Sequence, residues 1–159
     1  MSLLKKQTAG SLMTLLALLL AVAALIVYNV NIAGEGYFQN AAVRAAVTYP
    51  VIAIVLLALA LVVGLLPVSG IAAAVTELLS GVMRIAAPAC CVAAAMFLID
   101  ARGEGFAFIY FSNEEVLQEV QTAANLSSAH GAIANVAVLA AAALVGIIAA
   151  FFGMRKKTA

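Results

Sequence analysis

The acidic side chains best placed for chemistry belong to a pattern that occurs twice in the sequence. Glu35 and Glu104 each lie between two glycines. After each Gly-Glu-Gly the chain reads Tyr-Phe-x-Asn-x-x-Val-x-x-x-Val, with four extra residues before the tyrosine in the second copy. A match at this many positions predicts an internal duplication. If the two copies face each other, Glu35 and Glu104 would form a cation site, to which Asp100 could add another oxygen ligand.

A structural interpretation of the twin pattern competes with this one. Glutamate between glycines is typical of a solvated turn, and glycine can take the left-handed conformation that ends a helix. Asn40 and Asn113 then occupy the positions where the N-caps of the following helices are expected. We favour this interpretation for most of the pattern, and we keep the paired glutamates as the part that could bind a ligand.

Few other side chains suggest a reaction. Cys90 and Cys91 are adjacent, and because neighbouring Cα atoms are only about 3.8 Å apart, we predict two free thiols. His130 is the single histidine, and the sequence contains no His-Glu-x-x-His, Cys-x-x-Cys or glycine-rich phosphate loop. We therefore predict a non-enzymatic protein with no catalytic residue, no metal site and no cofactor.

The composition is that of an integral membrane protein. Hydrophobic residues make up 67% of the chain and charged residues 9%, whereas an ordinary soluble domain carries about 25% charged residues. The mean hydropathy is +1.19. No basic face or run exists outside the two short termini, so nucleic acid is not an expected partner.

Four apolar segments are long enough to cross a hydrocarbon core of about 30 Å as helices. The third contains Glu77 and Arg84, and a charge at mid-membrane costs about 2.5 to 3.5 kcal/mol. We therefore place its core so that Glu77 lies outside the membrane, on an interfacial lead-in over residues 71–79, while Arg84 extends to the membrane surface. The predicted spans are about 10–32, 45–66, 81–99 and 129–153.

These segments predict an all-α integral membrane protein. Its fold would be a single four-helix transmembrane domain over residues 1–159, made of two tandem hairpin repeats at about 10–66 and 79–153. A short outer helix from about Glu114 to Ala124 would lie between the third and fourth spans. Asn135 is the main polar side chain inside the fourth span, where it is expected to form a hydrogen bond to another helix.

The charges divide by side of the membrane. With these spans, six of the eight lysines and arginines lie on the side of the termini, and six of the seven acidic residues lie on the side of the repeat loops. By the positive-inside rule, both termini are cytoplasmic and both loops face outward. We expect a multi-pass protein of the cell membrane.

The insertion in the second copy creates an aromatic patch just outside the membrane. Phe106, Phe108 and Tyr110 belong to it, and Tyr37 is the matching aromatic residue of the first copy. The patch could be an interfacial aromatic belt or an exposed surface that docks another protein. With Glu35 and Glu104, these residues form the candidate outer site.

Two hypotheses for function follow. The leading one is an accessory or oligomeric subunit that uses the duplicated outer loops as a docking surface. Its partners would be the lipid bilayer, further copies of itself, or another membrane or extracytoplasmic protein, with Glu77 and Arg84 contacting headgroups or a partner at the cytoplasmic interface. The alternative is a small oligomeric cation channel or transporter component, because a pore can be lined by small residues without charges in the spans.

Overall fold

The computed structural model describes residues 8–154, apart from the side chain of Leu65, and this part of the chain contains no strand. Its helices are α1 Ala9–Ala33, α2 Arg44–Leu65, α3 Ile71–Phe111, α4 Glu114–Val120 and α5 Ala123–Ala150. All except α4 are long and apolar enough to cross a membrane. The predictions of an all-helical chain and of four long apolar helices are confirmed. The basic residues Lys5, Lys6 and 155–157 lie outside the described part.

The four long helices pack side by side as a bundle. The helix α1 packs against α2 and α5, and α3 packs against the same two helices. The hydroxyl of Thr8 donates to the Gly153 carbonyl (2.8 Å), and the Asn31 amide donates to the Ser128 carbonyl (2.8 Å), so α1 and α5 run in opposite directions. We call the end that holds Thr8 and Gly153 the terminal end. The end that holds residues 34–43 and α4 is the loop end.

Small residues fill the centre of the bundle. Most members of its two buried clusters are alanines, such as Ala21, Ala53 and Ala94. Large aliphatic side chains point outward instead, and Leu19 and Ile26 are each more than half exposed. This distribution suits a lipid environment, where small residues allow close helix packing and large apolar residues can contact acyl chains.

The helix α3 is longer than predicted. It contains 41 residues, or about 60 Å of helix, which is twice the thickness of a hydrocarbon core. The predicted lead-in over residues 71–79 and the span at 81–99 are parts of this one helix. It also continues through Gly103–Gly105, so the turn predicted for the second Gly-Glu-Gly is wrong. Glycine costs only about 1 kcal/mol in a helix interior relative to alanine, and here Gly105 packs against the other loop.

The first copy of the pattern does form a turn, because α1 ends at Ala33 and Gly36 has a φ of 125°. The asparagines behave differently in the two copies. Asn113 caps α4 as predicted, by accepting a hydrogen bond from the Val116 amide (3.0 Å). Asn40 is not an N-cap, since it takes a left-handed conformation with a φ of 57° and α2 begins only at Arg44.

The fourth apolar helix begins six residues earlier than predicted. Thr122 is its N-cap and accepts a hydrogen bond from the Asn125 amide (3.2 Å), so α4 ends at Val120 and α5 starts at Ala123. Polar residues in this region suggested a loop, but they lie in α5 and some of them are buried, such as Ser128.

The predicted hydrogen bond of Asn135 is confirmed. Its side chain is 2% exposed, and its amide donates to the carbonyl of Ala24 on α1 (2.6 Å), while its own Oδ1 has no hydrogen-bond partner. This bond joins α1 and α5 near the middle of the bundle.

Replacing Asn135 with alanine should therefore destabilise the bundle modestly. Cross-helix hydrogen bonds in membrane proteins contribute about 0.6 to 1.7 kcal/mol, so we expect Asn135→Ala to lower the free energy of unfolding in detergent by about 1 kcal/mol. The matched control is Asn29→Ala, because the amide of the exposed Asn29 donates to the Leu25 carbonyl within its own helix. Equal effects of the two substitutions would contradict this role for Asn135.

Candidate functional site

The loop between α1 and α2 lies directly on α5 at the loop end. Gly36 has a φ of 125°, which side-chain-bearing residues rarely adopt, and a Cβ at this position would clash with the Ala124 carbonyl and the Ser128 side chain. The Ser128 hydroxyl accepts a hydrogen bond from the Phe38 amide (3.1 Å). Glycine is therefore required here both by conformation and by the close contact with α5.

Phe38 anchors this loop in the bundle. Its side chain is 2% exposed and packs with Ile109 of α3 and with Ala129 of α5. Its ring centroid lies 5.7 Å from that of Phe106 at an interplanar angle of 70°, an edge-to-face arrangement. The guanidinium carbon of Arg102 lies 4.5 Å from the same centroid, so the ring also makes a cation–π contact.

The two copies of the sequence pattern meet at Gly105. A Cβ on Gly105 would clash with the rings of Tyr37 and Phe38, so the absence of a side chain lets the first loop lie against α3. The ring of Tyr37 also contacts Phe108, with 5.6 Å between centroids. The contact between the copies is therefore aromatic.

Among the described residues, the glutamates belong to no cluster of three metal-ligating side chains. Glu35 and Glu104 are both exposed. Glu35 lines an open groove of about 760 Å³ between α1 and α5, together with residues that include Asn31 and Ser127. Between residues 8 and 154 no group of three or more histidine, cysteine or acidic side chains is placed to hold a metal ion, so Asp100 does not complete a site.

Arg102 is a buried residue that the sequence did not single out. It is 3% exposed, and its Nη2 donates to the carbonyl of Ala41 in the loop (2.6 Å), while its Nε has no hydrogen-bond partner. The signal that could have found it is its spacing from Arg84. The two arginines are 18 residues apart, which is five full helical turns, and so they share one face of α3.

Arg84 is the equivalent residue at the terminal end. It is 4% exposed, and its Nη2 donates to the Phe152 carbonyl just beyond α5 (2.8 Å). This contact places Arg84 beside the terminal end, with its guanidinium directed to a main-chain carbonyl. The carbonyl after α5 has no partner within its own helix, and it attracts the guanidinium inward. Glu77 is exposed.

The predicted aromatic patch is divided between the interior and the surface. Phe106 and Tyr110 are half-buried against the cluster around Phe38. Tyr37 and Phe108 remain 43% and 41% exposed, and Phe111, the last residue of the predicted patch, is 84% exposed at the end of α3. The exposed surface formed by these three rings is called here the aromatic rim.

The fold and these contacts define a class, a multi-pass α-helical membrane protein with an ordered loop end. No protein-family model matches the chain, and the comparisons with curated proteins and with solved structures give no match either. The interpretation of the site therefore depends on its geometry.

The two glycines of the second copy should respond differently to substitution. We expect Gly105→Ala to lower the free energy of unfolding by about 1 to 3 kcal/mol through overpacking against Tyr37 and Phe38. Gly103→Ala should be neutral or stabilising by up to about 1 kcal/mol, because nothing lies within 4 Å of a Cβ there. Thermal unfolding and limited proteolysis of the loop would measure both, and a stable Gly105→Ala variant with a protected loop would refute the contact.

Proposed function

We propose that this chain is a non-enzymatic multi-pass membrane protein that acts as an accessory or oligomeric subunit and docks another protein through its loop end. The observation that carries the proposal is the aromatic rim. Tyr37, Phe108 and Phe111 remain exposed on a loop and a helix that are held by buried contacts of Phe38, Arg102 and Ser128. Aromatic residues on a preorganised surface are typical of protein interfaces, because little conformational entropy is lost on binding.

The proposed orientation places the loop end outside the cell and both termini in the cytoplasm. The division of charge supports it. Lys5, Lys6 and residues 155–157 are within four positions in the sequence of Thr8 or Gly153, which lie at the terminal end. Glu35 and α4, with its acidic first turn, belong to the loop end. The positive-inside rule favours the cytoplasm for the basic end, and we propose the cell membrane as the location.

We further propose that the chain arose from two tandem hairpin repeats, about 10–66 and 79–153. The support is the twin pattern in the sequence, whose copies meet through Gly105 and Tyr37 at the loop end. Their conformations differ, because the first copy forms a turn and the second lies in α3. After divergence of this kind, the first copy would form a loop that is anchored in the bundle, and the second would form a helix end with exposed aromatic rings.

The docking proposal can be tested by cross-linking in membranes followed by purification and mass spectrometry. We expect Tyr37→Ser, Phe108→Ser and Phe111→Ser each to reduce the yield of the cross-linked partner or oligomer about tenfold, the effect of losing an aromatic interface residue. The matched control is Phe151→Ser, which removes a ring that is 85% exposed at the terminal end. A monodisperse monomer that cross-links to nothing would refute the proposal.

An oligomeric cation channel is the second candidate, and the groove lined by Glu35 is the observation that favours it. Alanine-rich clusters occupy the centre of each protein molecule. Ions would therefore have to pass between the molecules of an oligomer, along surfaces such as this groove between α1 and α5. A carboxylate at its loop end would concentrate cations near the entrance.

The channel hypothesis predicts that Glu35→Gln combined with Glu104→Gln will lower cation conductance in liposomes. The control is Glu115→Gln with Glu119→Gln, which removes the same charge from exposed positions on α4. A drop specific to the first pair supports a pore near the groove. Absence of conductance in the unaltered protein eliminates the hypothesis.

A further inference from the structure

A second groove lies at the terminal end, between α3 and α5. Its volume is about 280 Å³, and its lining combines one cation with apolar side chains. The lining residues are Arg84, Ile85, Pro88, Ile147, Ala150 and Phe151. This composition suits a ligand that has a negatively charged group and an apolar chain.

The donors of Arg84 are incompletely used. A guanidinium carries five N–H donors, and the Phe152 carbonyl is the hydrogen-bond acceptor found for this one. Its Nε is buried and has no partner, and within residues 8–154 no carboxylate forms a salt bridge with it. A cation that is 96% buried without a counterion among residues 8–154 is unfavourable, so an anion from outside the described residues would stabilise Arg84.

The sequence has further basic residues next to the two segments that meet at this end. The Thr8 hydroxyl donates a hydrogen bond to the Gly153 carbonyl, and Arg84 donates to the carbonyl of the preceding residue, Phe152. Both ends of the described chain therefore meet here. Lys5 and Lys6 precede Thr8 by at most three residues, and Arg155, Lys156 and Lys157 follow Gly153 by at most four. Five more basic residues therefore lie within four positions of Thr8 or Gly153 in the sequence, and four residues of extended chain span at most about 14 Å.

We propose that this groove binds one anionic phospholipid. The phosphate accepts hydrogen bonds from the donors of Arg84 that Phe152 leaves free, and one acyl chain lies along Ile85 and Ile147. Arginine is well suited to phosphate recognition, and basic pockets between transmembrane helices are recognised sites for anionic headgroups.

The surroundings favour a membrane lipid over a soluble anion. Ile85 is 66% exposed, Ile147 46% and Phe151 85%, and all three flank the groove on helices long enough to cross a membrane or at the end of one. A free phosphate would gain nothing from these apolar walls, whereas an acyl chain would cover them. The groove lies at the opposite end of the bundle from the aromatic rim, so a test of lipid binding does not depend on the docking proposal.

The test uses the full-length protein in neutral detergent, titrated with phosphatidylglycerol or phosphatidylcholine. Retained lipid is counted by native mass spectrometry, and thermal unfolding is followed in parallel. We expect phosphatidylglycerol to be retained at least about fivefold better, the ratio that one favourable contact of an anionic lipid with a basic residue provides. Equal retention of the two lipids by the unaltered protein would overturn the proposal.

Two variants test the two halves of the site. Arg84→Gln removes the charge, and Ala150→Phe fills the groove while the charge remains; each should abolish the preference for phosphatidylglycerol. The matched control is Arg102→Gln, which removes the equivalent buried arginine at the loop end and should keep the preference. If Arg84→Gln does not fold, Ala150→Phe decides, and an unchanged preference in that variant refutes the site. Inorganic phosphate that raises the unfolding temperature as much as phosphatidylglycerol would also refute a lipid ligand.

Discussion

The organisation of this protein depends on two buried arginines of α3, each of which donates to a main-chain carbonyl outside that helix. Arg84 holds the segment after α5, and Arg102 holds the loop before α2. They are 18 residues apart, or about 27 Å along the helix, close to the thickness of a hydrocarbon core. The two hydrogen bonds therefore fix the two ends of the bundle at a separation that matches a bilayer, and an apolar centre lies between them.

This arrangement gives the two ends different chemistry. At the loop end the guanidinium of Arg102 donates to the Ala41 carbonyl and faces the ring of Phe38, while its Nε has no hydrogen-bond partner. At the terminal end Arg84 has a carbonyl on one side and an apolar groove on the other. The same residue type on the same helix face thus has an aromatic ring as its neighbour in one case and an apolar groove in the other.

The sequence predicts the parts of this fold that depend on local composition. The four long helices follow from apolar length, and the role of Asn135 follows from an isolated amide in an apolar helix. The second Gly-Glu-Gly was misread because its local pattern equals that of the first, while its conformation is decided by packing against Tyr37 and Phe38. The arginine contacts were missed because their acceptors are main-chain carbonyls, 68 and 61 residues distant in the chain, which have no sequence signature.

The bond between Thr8 and Gly153 has a consequence for biosynthesis. It joins residues that are 145 positions apart, and it connects the cap of the first helix to the last turn of the described chain. During translation α1 enters the membrane before α5 has been synthesised. The hydrogen bond from Thr8 to Gly153 therefore cannot form until α5 has been inserted. Closure of the bundle is therefore coupled to synthesis of α5, and a ribosome that stops before α5 leaves α1 accessible to other membrane helices.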